Sequence, residues 1–281
     1  MATYMLLGWL LFSASTSAEC TREFLIGATD TYVAAQAAGS TDEMAALAAP
    51  NVNYTENEVP KIISGGILTE SVKLDHNRSI HDTANCATFT ELIAATNPHQ
   101  YVIGTRILFN SDNKISLMES IITDAGDWAF NATGWYNWDP IPEEKRDSRE
   151  VIQSAGNSYF ERFKNESVVV PFGVPCSRLE GGASTAPLNM TGDSCTLAGL
   201  PSTLVVTDRR FVVDEIMGVV DIFLGFPGLD RSQGQKPMPD SHLFRIESGE
   251  IRYIHTVSSC VEAGCGMNGT IPPTLRRFRH F

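Results

Sequence analysis

His242-Leu243-Phe244-Arg245-Ile246-Glu247-Ser248-Gly249-Glu250-Ile251-Arg252-Tyr253-Ile254-His255-Thr256-Val257 reads as two strands joined by a tight turn. Ser-Gly suits such a turn because both residues tolerate positive φ. A two-residue turn at Ser248-Gly249 sets Glu247 opposite Glu250, Ile246 opposite Ile251, Phe244 opposite Tyr253 and His242 opposite His255. Side chains alternate faces along a strand. The spacing therefore predicts one apolar face carrying both histidines with Phe244, Ile246, Ile251, Tyr253 and Val257. The other face, with Arg245, Glu247 and Arg252, reads as solvated.

A second hairpin lies earlier in the chain. Arg106-Ile107-Leu108-Phe109 leads through Asp112-Asn113 into Ile115-Ser116-Leu117-Met118-Glu119-Ser120-Ile121, and its return strand aligns with the later one at an offset of 136. Arg22 to Val33 likewise matches Arg149 to Phe160 at an offset of 127, and both stretches carry apolar residues at helical spacing without Pro. After each helix comes a short segment of strand character, Val52-Asn53-Tyr54-Thr55 and Val168-Val169-Val170. Two matched elements in the same order point to an internal duplication. The polar, Pro-rich stretch Pro140 to Asp147 marks the boundary. The expected organisation is a leader over 1–18, repeats over 19–140 and 147–260, and a tail over 261–281. The fold class is α+β.

Met5 to Phe12 is a short apolar run followed by small residues up to Ala18, the pattern of a cleaved signal peptide. The run is too short for a bilayer, which takes about 20 apolar residues. The expected location is extracellular or the secretory lumen, with no membrane association. The six cysteines, Cys20, Cys86, Cys176, Cys195, Cys260 and Cys265, then read as disulfides. Six cysteines allow 15 pairings, and the expected set is Cys176–Cys195, Cys260–Cys265 and Cys20–Cys86. No C-x-x-C spacing supports zinc. Six N-x-S/T sequons, at Asn53, Asn77, Asn131, Asn165, Asn189 and Asn268, mark a glycoprotein. The net charge of −12 argues against nucleic acid, which needs Lys and Arg for its phosphates. No Walker loop, G-x-G-x-x-G turn or G-x-S-x-G elbow occurs, so no cofactor is expected.

The segment Phe244-Arg245-Ile246-Glu247-Ser248-Gly249-Glu250-Ile251, behind a leading helix, resembles the hairpin of the NTF2-like, or ketosteroid isomerase-like, superfamily. The chain is also similar to a group of secreted filamentous-fungal proteins. That similarity runs through Tyr54-Thr55-Glu56-Asn57, Gly126-Asp127-Trp128, Cys176-Ser177-Arg178-Leu179-Glu180-Gly181-Gly182, Val213-Asp214-Glu215 and Asp240-Ser241-His242-Leu243-Phe244. The resemblance implies two cone-shaped repeats, each a curved antiparallel sheet plus helices, forming a pseudo-dimer. Some ketosteroid isomerase-like relatives in fungal secondary metabolism are implicated in the dimerising cyclisation of maleic anhydride monomers.

The chemistry expected from the residues is proton transfer on a small metabolite. His242 and His255 are the candidate bases, with Asp240 a possible third ligand should they bind a metal. Arg106 falls opposite Glu119, which reads either as an ion pair or as a carboxylate base beside a cationic anchor. Tyr54 and Glu56 share a strand face and can serve as oxyanion donor and base. Asp214, before the apolar run from Ile216, is placed on an inward face. Tyr253, Phe244 and Arg178 complete the candidate substrate contacts, with Arg178 in a disulfide-flanked loop. These residues fit a lyase, isomerase or cyclase. A non-catalytic binding or effector protein needs only the pocket. A carbohydrate lyase could use the aromatics Trp128 to Trp138 as a groove. The expected partner is a small-molecule substrate, and the chain is either a monomer with an internal pseudo-dimer or a homodimer.

Overall fold

The computed structural model describes residues 19–185, 195, 201–227 and 237–261. The expected leader, Cys265, Asn189, Asn268 and nearly all of the tail lie outside the described residues.

Helix α1 (Arg22–Ala38) begins at Thr21, whose Oγ1 accepts from Phe24 N at 3.2 Å, and ends at Gly39, which takes the left-handed conformation of a helix C-terminus. A short helix α2 (Asp42–Leu47) leads into strands β1 (Ala48–Glu56), β2 (Val59–Lys61), β3 (His76–Asp82), β4 (Ala87–Ala94), β5 (Tyr101–Phe109) and β6 (Ile115–Thr123). A connecting segment with one 3₁₀ turn at Glu143–Lys145 leads to helix α3 (Arg149–Lys164), capped by Ser148. Then come β7 (Phe172–Glu180), β8 (Ala183–Ser184), β9 (Thr207–Asp214), β10 (Val219–Phe226), β11 (Met238–Glu247) and β12 (Glu250–Ser258). The sheets have orders β2-β1-β6-β5-β4-β3 and β8-β7-β12-β11-β10-β9, the same arrangement twice. Each contains one parallel pair, β1 with β6 and β7 with β12. The molecule is thus an α+β protein of two similar sheet domains, a pseudo-dimer within one chain. Val168 to Val170 is not strand; pairing starts only at Phe172.

Each sheet buries one face under its own helix. Leu25, Tyr32 and Met44 pack with Leu92, Ile107 and Met118 in the first domain, and Ile152, Tyr159 and Phe160 with Ile222, Phe244 and Ile254 in the second. The opposite faces pack on each other through Ile80, Phe89, Ile121, Phe223, Leu243 and Val257. Alternation along every strand supplies both faces at once. Each large apolar side chain so buried contributes about 1.5–3 kcal/mol.

The two halves are joined by reciprocal ion pairs. An arginine in the first turn of a helix opposes the positive end of the helix dipole, so Arg22 and Arg149 need specific partners. Arg22 donates from both terminal nitrogens to Asp214 at 2.9 Å, and Arg149 donates to Asp82 at 2.8 and 2.5 Å. The backbones cross as well: His81 N donates to Asp214 and Val213 N to Asp82. Each patch therefore meets its own counterpart, the pattern of a twofold interface. Asp214 also accepts from Ile216 N and Met217 N, closing the turn before β10.

Cys20–Cys86 and Cys176–Cys195 are disulfide-bonded, as expected. Cys260 is also disulfide-bonded, but the pairing expected for it involves Cys265, outside the described residues. These bridges are compatible with secretion. No described helix is long and apolar enough to cross a membrane. Asn53, Asn77 and Asn165 are exposed and Asn131 half-buried.

Both fully buried aspartates invite a test. Asp82→Ala leaves a guanidinium and the Val213 and Asn85 amides without their acceptor. The expected loss is about 3 kcal/mol or more in urea unfolding, and a loss below about 1 kcal/mol would show that this pair does not hold the halves together. A second test concerns pH. Burial, and then the Arg22 charge, press the His81 imidazole down to about 4. Its Nε2 donates to Thr29 Oγ1, whose own proton goes to Ile26 O. Because the folded pKa lies below the unfolded one, the unfolded chain binds the proton first. Stability from His81 is complete above about pH 6.5 and is lost as pH falls toward 4, by on the order of 3 kcal/mol. The stability difference between wild type and His81→Gln should shrink over that window; a difference independent of pH would contradict the assignment.

Candidate active site

The two histidines of the long hairpin do not lie side by side. The turn at Ser248-Gly249 is as expected, with both residues at positive φ, and Ile246 faces Ile251. Arg252 is then bulged out, so Arg245 pairs with Tyr253, Phe244 with Ile254, Leu243 with His255 and His242 with Thr256. One extra residue exchanges the faces of everything beyond it. His242 and Phe244 therefore point toward α3, while Tyr253, His255 and Val257 point into the seam between the sheets. Arg245 also faces the seam side, and only 5% of it is exposed.

On the helix side, His242 sits among the rings of Tyr159, Phe160, Phe226 and Phe244, with centroids 4.9–6.3 Å away. Its Nδ1 lies 3.0 Å from Asp240 Oδ1. Two residues apart on one strand, the pair necessarily shares a face. Burial raises the Asp240 carboxyl above its ordinary range, and the His242 imidazole opposes that rise. A carboxylate only accepts, so with Asp240 ionised Nδ1 carries the proton and Nε2 is the basic nitrogen. On β7, Arg178 donates to the Tyr159 hydroxyl at 2.9 Å and lies 3.5 Å from Glu180. Burial works against the guanidinium, but Tyr159 and Glu180 hold its pKa above the ordinary value. Burial raises the Tyr159 hydroxyl. Glu180 accepts from Thr256 Oγ1 at 3.2 Å and from the Trp128 indole at 3.4 Å. His242, Asp240, Arg178, Glu180, Tyr159, Phe226 and Trp128 are among the residues that line a cavity of about 40 Å³. One water needs ~10–15 Å³, so it has room for about three.

The first domain repeats the frame with different chemistry. The helix match at offset 127 sets Tyr32 against Tyr159, and matching strand registers set Tyr54 against Arg178, Glu56 against Glu180, Thr105 against His242 and Ile103 against Asp240. Tyr54 and Glu56 do share a face, and the hydroxyl donates to Glu56 Oε1 at 2.5 Å, an oxygen that also accepts from Ile67 N. Tyr32 joins a hydroxyl chain with Thr105 and Ser120. This domain has no imidazole at the position of His242.

The remaining candidates fall elsewhere. His255, fully buried in the seam, approaches Glu91 Oε1 at 2.5 Å without hydrogen-bond alignment. Burial alone would raise the Glu91 carboxyl, but His255 and then Arg78 hold it down at about 2. Arg106 and Glu119 pair directly across β5 and β6 and form an ion pair at 2.5 Å, which Arg210 joins at 3.2 Å. Asp214 is committed to Arg22 and the turn before β10, not to a cavity. Arg178 lies on a strand and not in a loop. Tyr253 packs against Tyr136 and Trp138 on the face opposite His242. Trp138 also lies under Arg78 at 3.8 Å, and Trp135 stacks on His76, so these rings pin the connecting segment. Among the described residues no group of three or more His, Cys, Asp and Glu is arranged to hold a metal.

The sequence pattern offers Asp240 only as a metal ligand and Trp128 only as lining for a sugar groove, and it gives Glu180 and Tyr159 no role in a site. Asp240-x-His242 and Arg178-x-Glu180 carried the signal, since an i, i+2 spacing on a strand puts both side chains on one face. Residues 145–258 match a family described as a domain of unknown function (DUF8021). That span runs from the 3₁₀ turn before α3 to the last residue of β12 and contains the His242 cavity except for Trp128. No curated protein matches the chain.

Proposed function

We propose that the second domain is an NTF2-like, ketosteroid isomerase-like acid–base catalyst acting on a small secreted or luminal metabolite without a cofactor. The observation that carries this reading is the Asp240–His242 dyad inside an aromatic cavity that also holds Arg178 and the Tyr159 hydroxyl. His242 Nε2 takes a proton from a carbon next to a carbonyl or anhydride. The electron pair of that C–H bond moves onto the carbonyl oxygen as an enolate. Asp240 holds the imidazole in orientation and balances its charge as the imidazolium forms. Arg178 and Tyr159 donate to the enolate oxygen, which is preorganised stabilisation in a buried site. Return of the proton elsewhere gives isomerisation; attack of the enolate carbon on the C=C of a second anhydride joins the two and moves that pair onto its carbonyl oxygen as a new enolate, whose attack back on the first ring's C=C closes the ring, with the last enolate taking the proton from His242. The resemblance to fungal ketosteroid isomerase-like proteins makes alkylated maleic anhydrides the first substrates to try.

A binding role without catalysis is the second reading. It is favoured by the small cavity and by the fact that His242, Arg178 and Trp128 each already have an internal partner.

The two readings separate by proton wash-out. In D2O the protein should catalyse exchange of the acidic C–H of alkyl maleic anhydrides or their diacids, followed by proton NMR. His242→Ala should slow exchange by about 10²–10⁴-fold, and His255→Asn should leave the rate per folded molecule within about threefold. Equal exchange by wild type and His242→Ala would remove His242 from the mechanism.

A further inference from the structure

Of the ten described residues lining the His242 cavity, nine fall in the stretch from Tyr159 to Ser258, and one, Trp128, comes from the segment leaving β6 of the first domain. We infer that Trp128 is the wall that sets the size of ligand this cavity admits, supplied to the second domain by the first. The inference rests on the cavity being a ligand site, as proposed above, but not on what happens to the ligand there.

The backbone on both sides of Trp128 is fixed. Asp127, before it, accepts from Asp124 N and from Cys260 N. After it, Phe130 bridges to Gly182, and Asn131 N donates to Gly181 O at 2.7 Å. Two glycines permit this approach. A Cβ on Gly181 would stand 2.1 Å from Trp128 O, and one on Gly182 1.9 Å from Asn131 O, and both have positive φ. The side chain is held more lightly. Its polar contact with the site is one long hydrogen bond, 3.4 Å from Nε1 to Glu180 Oε2, and the residue is only half-buried. A fixed backbone with a lightly tethered indole makes the ring the adjustable part of the wall. The volume agrees, since a cavity of about 40 Å³ holds a few waters but no metabolite until a wall gives way.

Glu180 couples the wall to the chemistry. The carboxylate that receives the indole N–H also pairs with Arg178, the group proposed to hold the enolate oxygen. A ligand that turns the indole aside therefore releases one acceptor site on Glu180 next to Arg178. The equivalent of Glu180 in the first domain, Glu56, instead accepts from Tyr54 and Ile67 N and faces an open cleft of about 660 Å³. Among the described residues lining that cleft there is no tryptophan.

The test is ligand-size selectivity. Benzoate and 2-naphthoate, two planar carboxylates differing by one ring, would be titrated calorimetrically into wild type, Trp128→Ala and Trp128→Phe. Trp128→Ala should strengthen 2-naphthoate binding by about tenfold or more relative to benzoate, with Trp128→Phe between it and wild type. A general loss of stability would not change that ratio. A ratio unchanged in folded Trp128→Phe and Trp128→Ala, or no binding of either probe to any form, overturns the inference. If the alanine variant does not fold, the ratio in Trp128→Phe decides. His242→Ala serves as the control that separates the two claims. A selectivity shift that appears while proton exchange is unaffected by His242→Ala keeps the wall and rejects the proposed chemistry.

Discussion

Arg22 reaches across to Asp214 and Arg149 reaches across to Asp82, and the arrangement of the whole molecule depends on this reciprocity. Each carboxylate is buried, so it must be compensated. The compensation comes from a guanidinium fork plus backbone amides of the opposite half. The paired contacts fix both the distance and the angle between the sheets. The sheets then close over the apolar seam at Phe89, Phe223, Leu243 and Val257. A dimer interface has been written into one chain, and the second half no longer needs to match a copy of itself.

That freedom shows in the chemistry of the two halves. Equivalent positions carry Thr105 and His242, Ile103 and Asp240, Tyr54 and Arg178. The first domain fills its interior with a hydroxyl chain and a Tyr–Glu pair, while the second keeps an imidazole, a carboxylate and a guanidinium in an aromatic setting. The seam is asymmetric as well. Glu91 and His255 meet at one end, and Arg106, Glu119 and Arg210 at the other. Between them Asp221 is fully buried and accepts from Ser241 Oγ at 2.6 Å, its Oδ2 has no hydrogen-bond partner among the described residues, and burial raises its carboxyl well above the usual range.

The duplication, both helices, both hairpin turns, two disulfides and the Arg106–Glu119 pair were legible in the residues. The register of the second hairpin was not, and the reason is local. Both hairpins bulge at equivalent residues, Ser116 and Arg252, next to irregular stretches of β1 and β7. In the first hairpin the turn spans three residues, and this extra residue offsets the bulge, so Arg106 still faces Glu119. In the second the turn does span two residues, and the uncounted bulge displaced every pair beyond it. A bulge answers to the neighbouring strand, β7, which contacts β12 from outside the hairpin, so hairpin residues alone do not reveal it. Asp214 does face inward, as its spacing suggests, but its partner is not legible locally. Glu215 to Gly218 form a turn before β10, and what binds the aspartate lies 192 residues away in α1.

The Arg252 bulge therefore carries the account of the site. It puts His242 with Asp240 under α3 and seals His255 between the sheets. The most direct measurement is the pairing register of β11 and β12 by cross-strand backbone nuclear Overhauser effects in labelled protein. The account predicts contacts between Leu243 and His255 and between His242 and Thr256. Contacts pairing His242 with His255 would put both imidazoles on one face and contradict it.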